Sequence, residues 1–309
     1  MAIQVMLGPQ GNRPNLAAAF EALGNDGPVV SITAGWRDSE GEVDGVAGDI
    51  GRPVRDLGIY QRAEAIFAHE PELQALHRER QDKLLELQQL YRVRLTAAMS
   101  AARKLLRSEG DPDLLKLEQR AAITQVRGLD RHHVRRIAAI HREFNERRAH
   151  LTVPTARQQR EEVEQMLRDA GVVLIAGGHV AVLLNRIRLF RLESLLAEKT
   201  VIGWSAGAMV LGERIVLFHD NAPQGRRDAE VLDAGLGIVN GLVPLPHARE
   251  RLDWTRPVRM LLFARRFAPS KCVTLDAGSQ VRIEDGRVTA TARCSLMLRS
   301  GRKKRWSVR

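Results

Sequence analysis

Ser205 stands at the centre of Gly203-Trp204-Ser205-Ala206-Gly207, a G-x-S-x-G pattern. A hydroxyl in that setting can attack a carbonyl. The chemistry asks for a serine pushed out of a tight strand-to-helix turn, clear of its own backbone. It also asks for neighbours without a Cβ, so that strand and helix can approach closely. Val201 and Ile202 read as the strand, and Ala208 to Leu211 as a helix-compatible run. The helix start behind Ser205 would aim free N–H groups and a positive dipole end at a developing oxyanion. Glycine makes up ~7% of residues in general, so the pattern also arises as a plain glycine-rich turn with the serine capping the next helix. The strand before it and the helix after it favour the nucleophile.

The elements that must position this serine read as α/β. Ile3 to Leu7 is a short apolar strand ending at Gly8-Pro9-Gln10-Gly11. That turn has neither dinucleotide-fingerprint nor P-loop spacing. Asn15 is placed to cap a helix through Leu23, stopped by Gly24, and Pro28 to Thr33 is the next strand. Strand, helix and strand at this spacing predict a parallel sheet. After Pro154, with Thr155 as the expected cap, a helix runs through Leu167 and Gly171 ends it. Val172 to Ala176 is the apolar run of a buried parallel strand. It empties into Gly177-Gly178-His179. Ligand sites gather at the carboxyl ends of such strands, so Gly177-Gly178 and Ser205 are expected on one rim. The glycine pair there is either an ordinary turn or a source of a backbone N–H for an oxyanion hole. Arg214 to Phe218 reads as a strand leading to His219-Asp220, and Leu242 to Pro246 leads to His247. Cys272 to Leu275 and Gln280 to Ile283 are strands around Asp276-Ala277-Gly278-Ser279. Glu284 to Arg287 is a hairpin turn into Val288 to Ala292.

Residues 66–150 have a different pattern. Leu73, Leu76, Leu84, Leu87, Tyr91, Leu95, Ala98, Ala102 and Leu105 recur mostly at three- and four-residue steps, one stripe of a long helix. Gly110-Asp111-Pro112 supplies a helix end, a new cap and a first helical position. A second stripe follows, from Leu114 to Phe144. Two helices of roughly 35 to 40 residues predict an antiparallel hairpin about 50–60 Å long. Such an arm is too narrow to hold an active site of its own. Its charged faces suit solvent, and its stripe suits a homodimer contact. His132 and His133 are adjacent on a helix and point apart, which argues against a shared metal. The domain reading is therefore a discontinuous α/β unit, 1–65 and 151–298, a coiled-coil hairpin insertion at 66–150, and a basic tail at 299–309 that reads as unordered.

The chain has 309 residues and 44% hydrophobic content, enough for a proper core. Cys272 and Cys294 are its two cysteines, too few for a disulfide scaffold and suited to a reducing compartment. No stretch approaches a membrane helix. The amino terminus lacks the basic lead and long apolar core of a secretory signal and reads as a first strand. The expected location is the cytoplasm. A net charge of +11, from 48 Lys+Arg against 37 Asp+Glu, admits polyanions, nucleic acid included, or acidic substrates. Aromatics at 4% give few platforms for base stacking, so nucleic acid is not favoured.

With those pieces placed, the chain resembles the dipeptidase E and cyanophycinase family of serine peptidases, whose fold is class I glutamine-amidotransferase-like. The resemblance rests on Gly203-Trp-Ser205-Ala-Gly-Ala208, supported by Ile32-Thr-Ala-Gly-Trp36, Ile175-Ala-Gly-Gly178, Gly235-Leu-Gly237 and Pro246-His247. It covers about 1–65 and 151–290; the helical arm falls outside it. The resemblance implies a mostly parallel sheet flanked by helices. It implies Ser205 as nucleophile and His247 as general base. An oxyanion hole would form from the N–H of Ala206 with one from Gly177 or Gly178. The family's third triad member is a glutamate in the loop after the strand that follows His247. Here Ala277 stands at that place, with Asp276 one residue earlier. Asp276 is the first candidate acid and Asp220 the alternative, which would also fit a Ser-Asp-His order. His179, Arg249 and Arg259 are candidate substrate-binding residues, with Arg251 beside them, since the family places arginines near the histidine.

The resemblance implies an acyl-enzyme peptidase on small, aspartyl-type peptides, with no metal or organic cofactor. The alternative expectation is a degenerate scaffold that binds protein or nucleic acid through its arm and basic surface. An amidotransferase would need a cysteine nucleophile, and neither Cys272 nor Cys294 sits at a strand-to-helix elbow.

Overall fold

The computed structural model describes residues 2–220, 227–291 and 293–306. Thirteen strands are described: β1 (Ile3–Leu7), β2 (Val29–Ile32), β3 (Val54–Asp56), β4 (Val172–Ile175), β5 (Thr200–Trp204), β6 (Arg214–Leu217), β7 (Glu230–Ala234), β8 (Leu242–Pro246), β9 (Lys271–Leu275), β10 (Gln280–Glu284), β11 (Arg287–Ala290), β12 (Ser295–Met297) and β13 (Lys303–Arg305). The main sheet has the order β11-β10-β1-β5-β4-β2-β3. From β1 to β3 every pairing is parallel; β10 and β11 add an antiparallel edge. β2 and β4 are buried at every position. Continuous burial is what a parallel strand covered on both faces requires, and it explains the unbroken Val-Val-Leu-Ile of β4. The fold class is therefore the expected one: a mostly parallel sheet flanked by helices, with a long helical hairpin.

A second sheet, β13-β12-β9-β8, pairs β8 and β9 in parallel. That pairing brings the end of β8, where His247 begins, beside the end of β9, where Asp276 begins. β6 and β7 form a separate antiparallel pair.

The arm helices run Pro71–Leu105 and Pro112–Ala149. Asp111 accepts the N–H groups of Asp113 and Leu114 and caps the second helix, with Pro112 at its first position. Two expected caps take other forms. The helix after Pro154 starts at Pro154 itself, so Thr155 lies inside it. Asn15 makes no side-chain cap bond; Gln10 Oε1 instead accepts the N–H groups of Asn15 and Leu16.

The arm does not stand away from the body. Tyr91, Leu95, Met99, Val126 and Leu129 pack into one cluster with Leu262 of the helix Pro257–Phe267. Beside them Arg266, 1% exposed, donates to both Asp130 oxygens at 2.7 Å and to the Tyr91 hydroxyl at 2.7 Å. His133 stacks on Tyr91 at 3.9 Å and bonds Gln88 at 2.8 Å. Leu85, Leu90, Val93, Leu114 and Leu117 of the arm are exposed.

The carboxyl-terminal segment also departs from expectation. Lys303–Arg305 is an edge strand paired with β12, and Trp306 N–H donates to the Cys294 carbonyl. Pairing uses only the backbone, so three basic side chains can all stay exposed on such an edge. Residues 307–309 lie outside the described residues.

Candidate active site

β5 ends at Trp204, and a short helix, Ala206–Leu211, begins directly after Ser205. Ser205 takes φ 52°, ψ −115°, a conformation non-glycine residues avoid. Gly207 makes the close approach feasible: a Cβ there would lie 2.0 Å from the Ile175 carbonyl oxygen. Ser205 makes no side-chain cap bond to the helix that follows. Its hydroxyl lies 3.4 Å from His247 Nε2 instead.

His247 sits at the turn after β8, with φ 56° and ψ 30°. Its N–H donates to the Leu275 carbonyl at 3.2 Å, which ties the turn to β9. Forty-two residues separate it from Ser205 in sequence; their strands lie in different sheets, and the helix Ala206–Leu211 packed against β8 brings the two together. The carboxylate opposite Nδ1 belongs to Glu250, three residues on, at 3.4 Å. The Glu250 side chain is 78% exposed. Asp276 lies close by but makes a different contact: its Oδ1 accepts the Arg249 N–H at 2.9 Å. Asp220 is buried, with Arg259 on Oδ1 at 2.5 Å and the Asp253 N–H on Oδ2 at 2.8 Å.

The glycine pair after β4 lies on the same rim. A Cβ on Gly177 would come 3.2 Å from Ser205 Cβ and 3.6 Å from its Oγ. Gly178 and Ala206 line a cleft of about 380 Å³ together with Ser205. The residues that close this cleft come from four further places. Phe218 and His219 follow β6, and Asp228 and Glu230 lead into β7. Arg251 ends the turn after His247. Arg92 reaches in from the first arm helix. Arg92 Nε donates to Glu230 at 2.8 Å, and Gln88 donates to the same oxygen at 2.9 Å. Asp228 pairs with Arg103 and, at 3.6 Å, with Arg259. Burial holds the Arg251 guanidinium below its ordinary range, with Glu250 pulling the other way.

The three residues expected to bind substrate make the following contacts. The His179 ring caps the helix Val180–Leu189 by accepting the Val182 N–H at 3.3 Å, and burial followed by Arg37 lowers its pKa. Arg249 offers its backbone to Asp276. Arg259 binds Asp220 and Asp228 behind the cleft. Arg92, Glu230 and Glu250 were not singled out from sequence. A short helix after His247 would have flagged Glu250, because positions i and i+3 share a helix face. Arg92 gave no comparable signal, being one of many charges on a long helix. Cys272 is no rival nucleophile: it is buried in β9, and burial pushes its thiol up to about 12.

The family model of peptidase family S51 matches residues 128–291, more than half of the chain. This chain belongs to peptidase family S51. It is accordingly a serine-type peptidase, as the resemblance implied. The match begins inside the second arm helix and includes Ser205, His247 and Asp276. The chain is also similar to a solved structure, the crystal structure of a peptidase from an acI-B1 Actinobacterium. The two are 13% identical with a TM-score of 0.48, over 99% of this chain and 94% of that one. No curated protein matches the chain. No helix among the described residues is long and apolar enough to cross a membrane.

Proposed function

We propose that this S51 peptidase cleaves small peptides with Ser205 as nucleophile and His247 as general base. The observation that carries the assignment is the 3.4 Å approach of His247 Nε2 to a serine hydroxyl held at φ 52°. That distance is looser than a working hydrogen bond, as is common before substrate arrives. His247 takes the hydroxyl proton as Oγ attacks the scissile carbonyl. The oxyanion forms against the N–H of Ala206 and of Gly177 or Gly178. Collapse breaks the C–N bond, and His247 returns the proton to the leaving amine. Water then repeats the sequence and releases the acyl group. Glu250, which faces Nδ1, serves as the group that orients the ring, while Asp276 fixes the turn through the Arg249 N–H.

The substrate reading is a short peptide with an aspartyl residue at the cleaved bond. A cleft of about 380 Å³ suits a small ligand. Arg92, Arg227 and Arg251 outnumber Asp228 and Glu230 along it, which favours an acidic group. The test is amino-acid release from aspartyl dipeptides against alanyl ones, with Ser205→Ala as control. Turnover that survives Ser205→Ala would refute the nucleophile; equal rates on both dipeptide series would refute the substrate class.

A further inference from the structure

A second cavity, about 230 Å³, lies between the two arm helices and the body. It is distinct from the Ser205 cleft and shares Arg92 with it. One side is apolar, with Leu84, Ile137 and Leu184; the other holds Arg80, Arg188 and Asp233. The charges there do not balance. Asp233 is already engaged, by Arg188 at 2.6 Å and by His141 Nε2 at 3.0 Å. Arg80 is 5% exposed, yet no carboxylate lies within ion-pair range of it among the described residues. Its guanidinium donates to the Asn185 amide oxygen at 3.2 Å and, at 3.3 Å, to the Gln81 amide oxygen in that amide's hydrogen-bonding orientation, and it lies over the Phe144 ring at 4.0 Å.

A buried cation without a counter-charge is unfavourable, because desolvation is not offset by attraction. Burial, then repulsion from Arg188 and Arg148, lowers the Arg80 pKa to about 9. Arg80 therefore remains charged at neutral pH, and its charge is offset only in part, by the more distant Asp233 carboxylate. His141, which lines the same cavity, has a buried Nδ1 with no partner among the described residues. The guanidinium is the feature a ligand could satisfy; the His141 Nδ1 has no accessible surface for a ligand to reach. The volume limits that ligand: it falls below the ~300–1,000 Å³ of pockets for drug-sized molecules, so the occupant is of amino-acid size.

We propose that the arm–body cavity binds a small carboxylate bearing a short aliphatic chain. Its carboxylate sits on the Arg80 guanidinium and its chain lies against Leu84, Ile137 and Leu184. The site is independent of the assignment of Ser205, so the two are tested separately.

The experiment is calorimetric titration of the full chain carrying Ser205→Ala with 4-methylpentanoate, and with 4-methylpentanamide as the uncharged control. The expected result is saturable one-site binding of the carboxylate and at least tenfold weaker binding of the amide. Arg80→Met, which removes the charge and keeps the bulk, is expected to weaken the carboxylate at least tenfold. Ala181→Leu narrows the same cavity without touching the charge and is expected to do likewise; it decides the matter if Arg80→Met does not fold. Absence of saturable binding, equal affinity for acid and amide, or affinity unchanged in the folded variants would overturn the proposal. The last outcome would place the carboxylate among the arginines of the Ser205 cleft.

Discussion

The backbone at Ser205 is held about 1–3 kcal/mol above a relaxed conformation, and the surrounding contacts must enforce it. The Ser205 N–H bonded to the Leu7 carbonyl at 3.2 Å and Gly207 pressed on Ile175 are two of them. If the strain serves to present Oγ, Ser205→Ala should leave the fold intact and lower kcat by ~10⁴-fold or more. A matched circular dichroism spectrum with lost turnover is the check. The carboxylate proposed to orient His247 allows a finer test. Glu250 is 78% exposed on its side chain, so water screens its hold on His247. Glu250→Gln should therefore lower kcat only roughly tenfold, far less than loss of a buried triad acid. Asp276→Asn should act mainly on stability, through the Arg249 N–H. A kcat loss larger for Asp276→Asn than for Glu250→Gln would reverse the two roles.

At the scale of elements, the arm–body seam is the informative feature. Asp130 and Arg266 are 136 positions apart and form a buried pair, with Tyr91 bonded to both. Asp130→Ala leaves the guanidinium buried without its partner and should cost ~3–5 kcal/mol, read by urea melting. Adding Arg266→Met should recover much of it. Two seam histidines add a pH dependence. Burial, then Arg80, lowers the His77 pKa to about 3, and burial lowers that of His133 to about 4. Below the ordinary 6.5 the unfolded chain takes up these protons while the folded chain does not. Each histidine should therefore remove up to about 1.4 kcal/mol of stability for every pH unit below 6.5, levelling off near its folded value. Melting temperatures between pH 7 and 4.5 test this, and His77→Gln should make the slope shallower. The arm's helices were legible because their apolar steps and Gly110-Asp111-Pro112 are local signals. Their docking was not, because Asp130, His133 and Arg266 look like solvated charges until tertiary structure pairs them. The strand Lys303–Arg305 was hidden for a related reason: its side chains are polar, and what orders it is backbone pairing with β12.

For the molecule as a whole, the arm is a wall of the Ser205 cleft. The serine elbow and its glycine rim were readable because they lie at strand ends. The opposite wall was not, because it meets the elbow only when the first arm helix lies along the body. Arg92 marks the junction: it lines the Ser205 cleft, and its pairing with Glu230 joins arm to β7. The arrangement separates two effects. On the proposed mechanism, phosphonylation of Ser205 by a small fluorophosphonate, with loss of fluoride, needs the elbow and His247 alone, whereas a peptide must also fit beneath the arm. Arg92→Ala removes a cation from the peptide path and frees Glu230 to repel an acidic substrate. The expected outcome is a roughly tenfold higher KM for aspartyl dipeptides, with kcat nearly unchanged, the signature of lost binding that ground state and transition state share. Fluorophosphonate labelling of Ser205 should proceed at the parental rate. Equal slowing of labelling and peptide turnover would instead mean that Arg92 supports the elbow itself, and the arm would then buttress the site rather than line it.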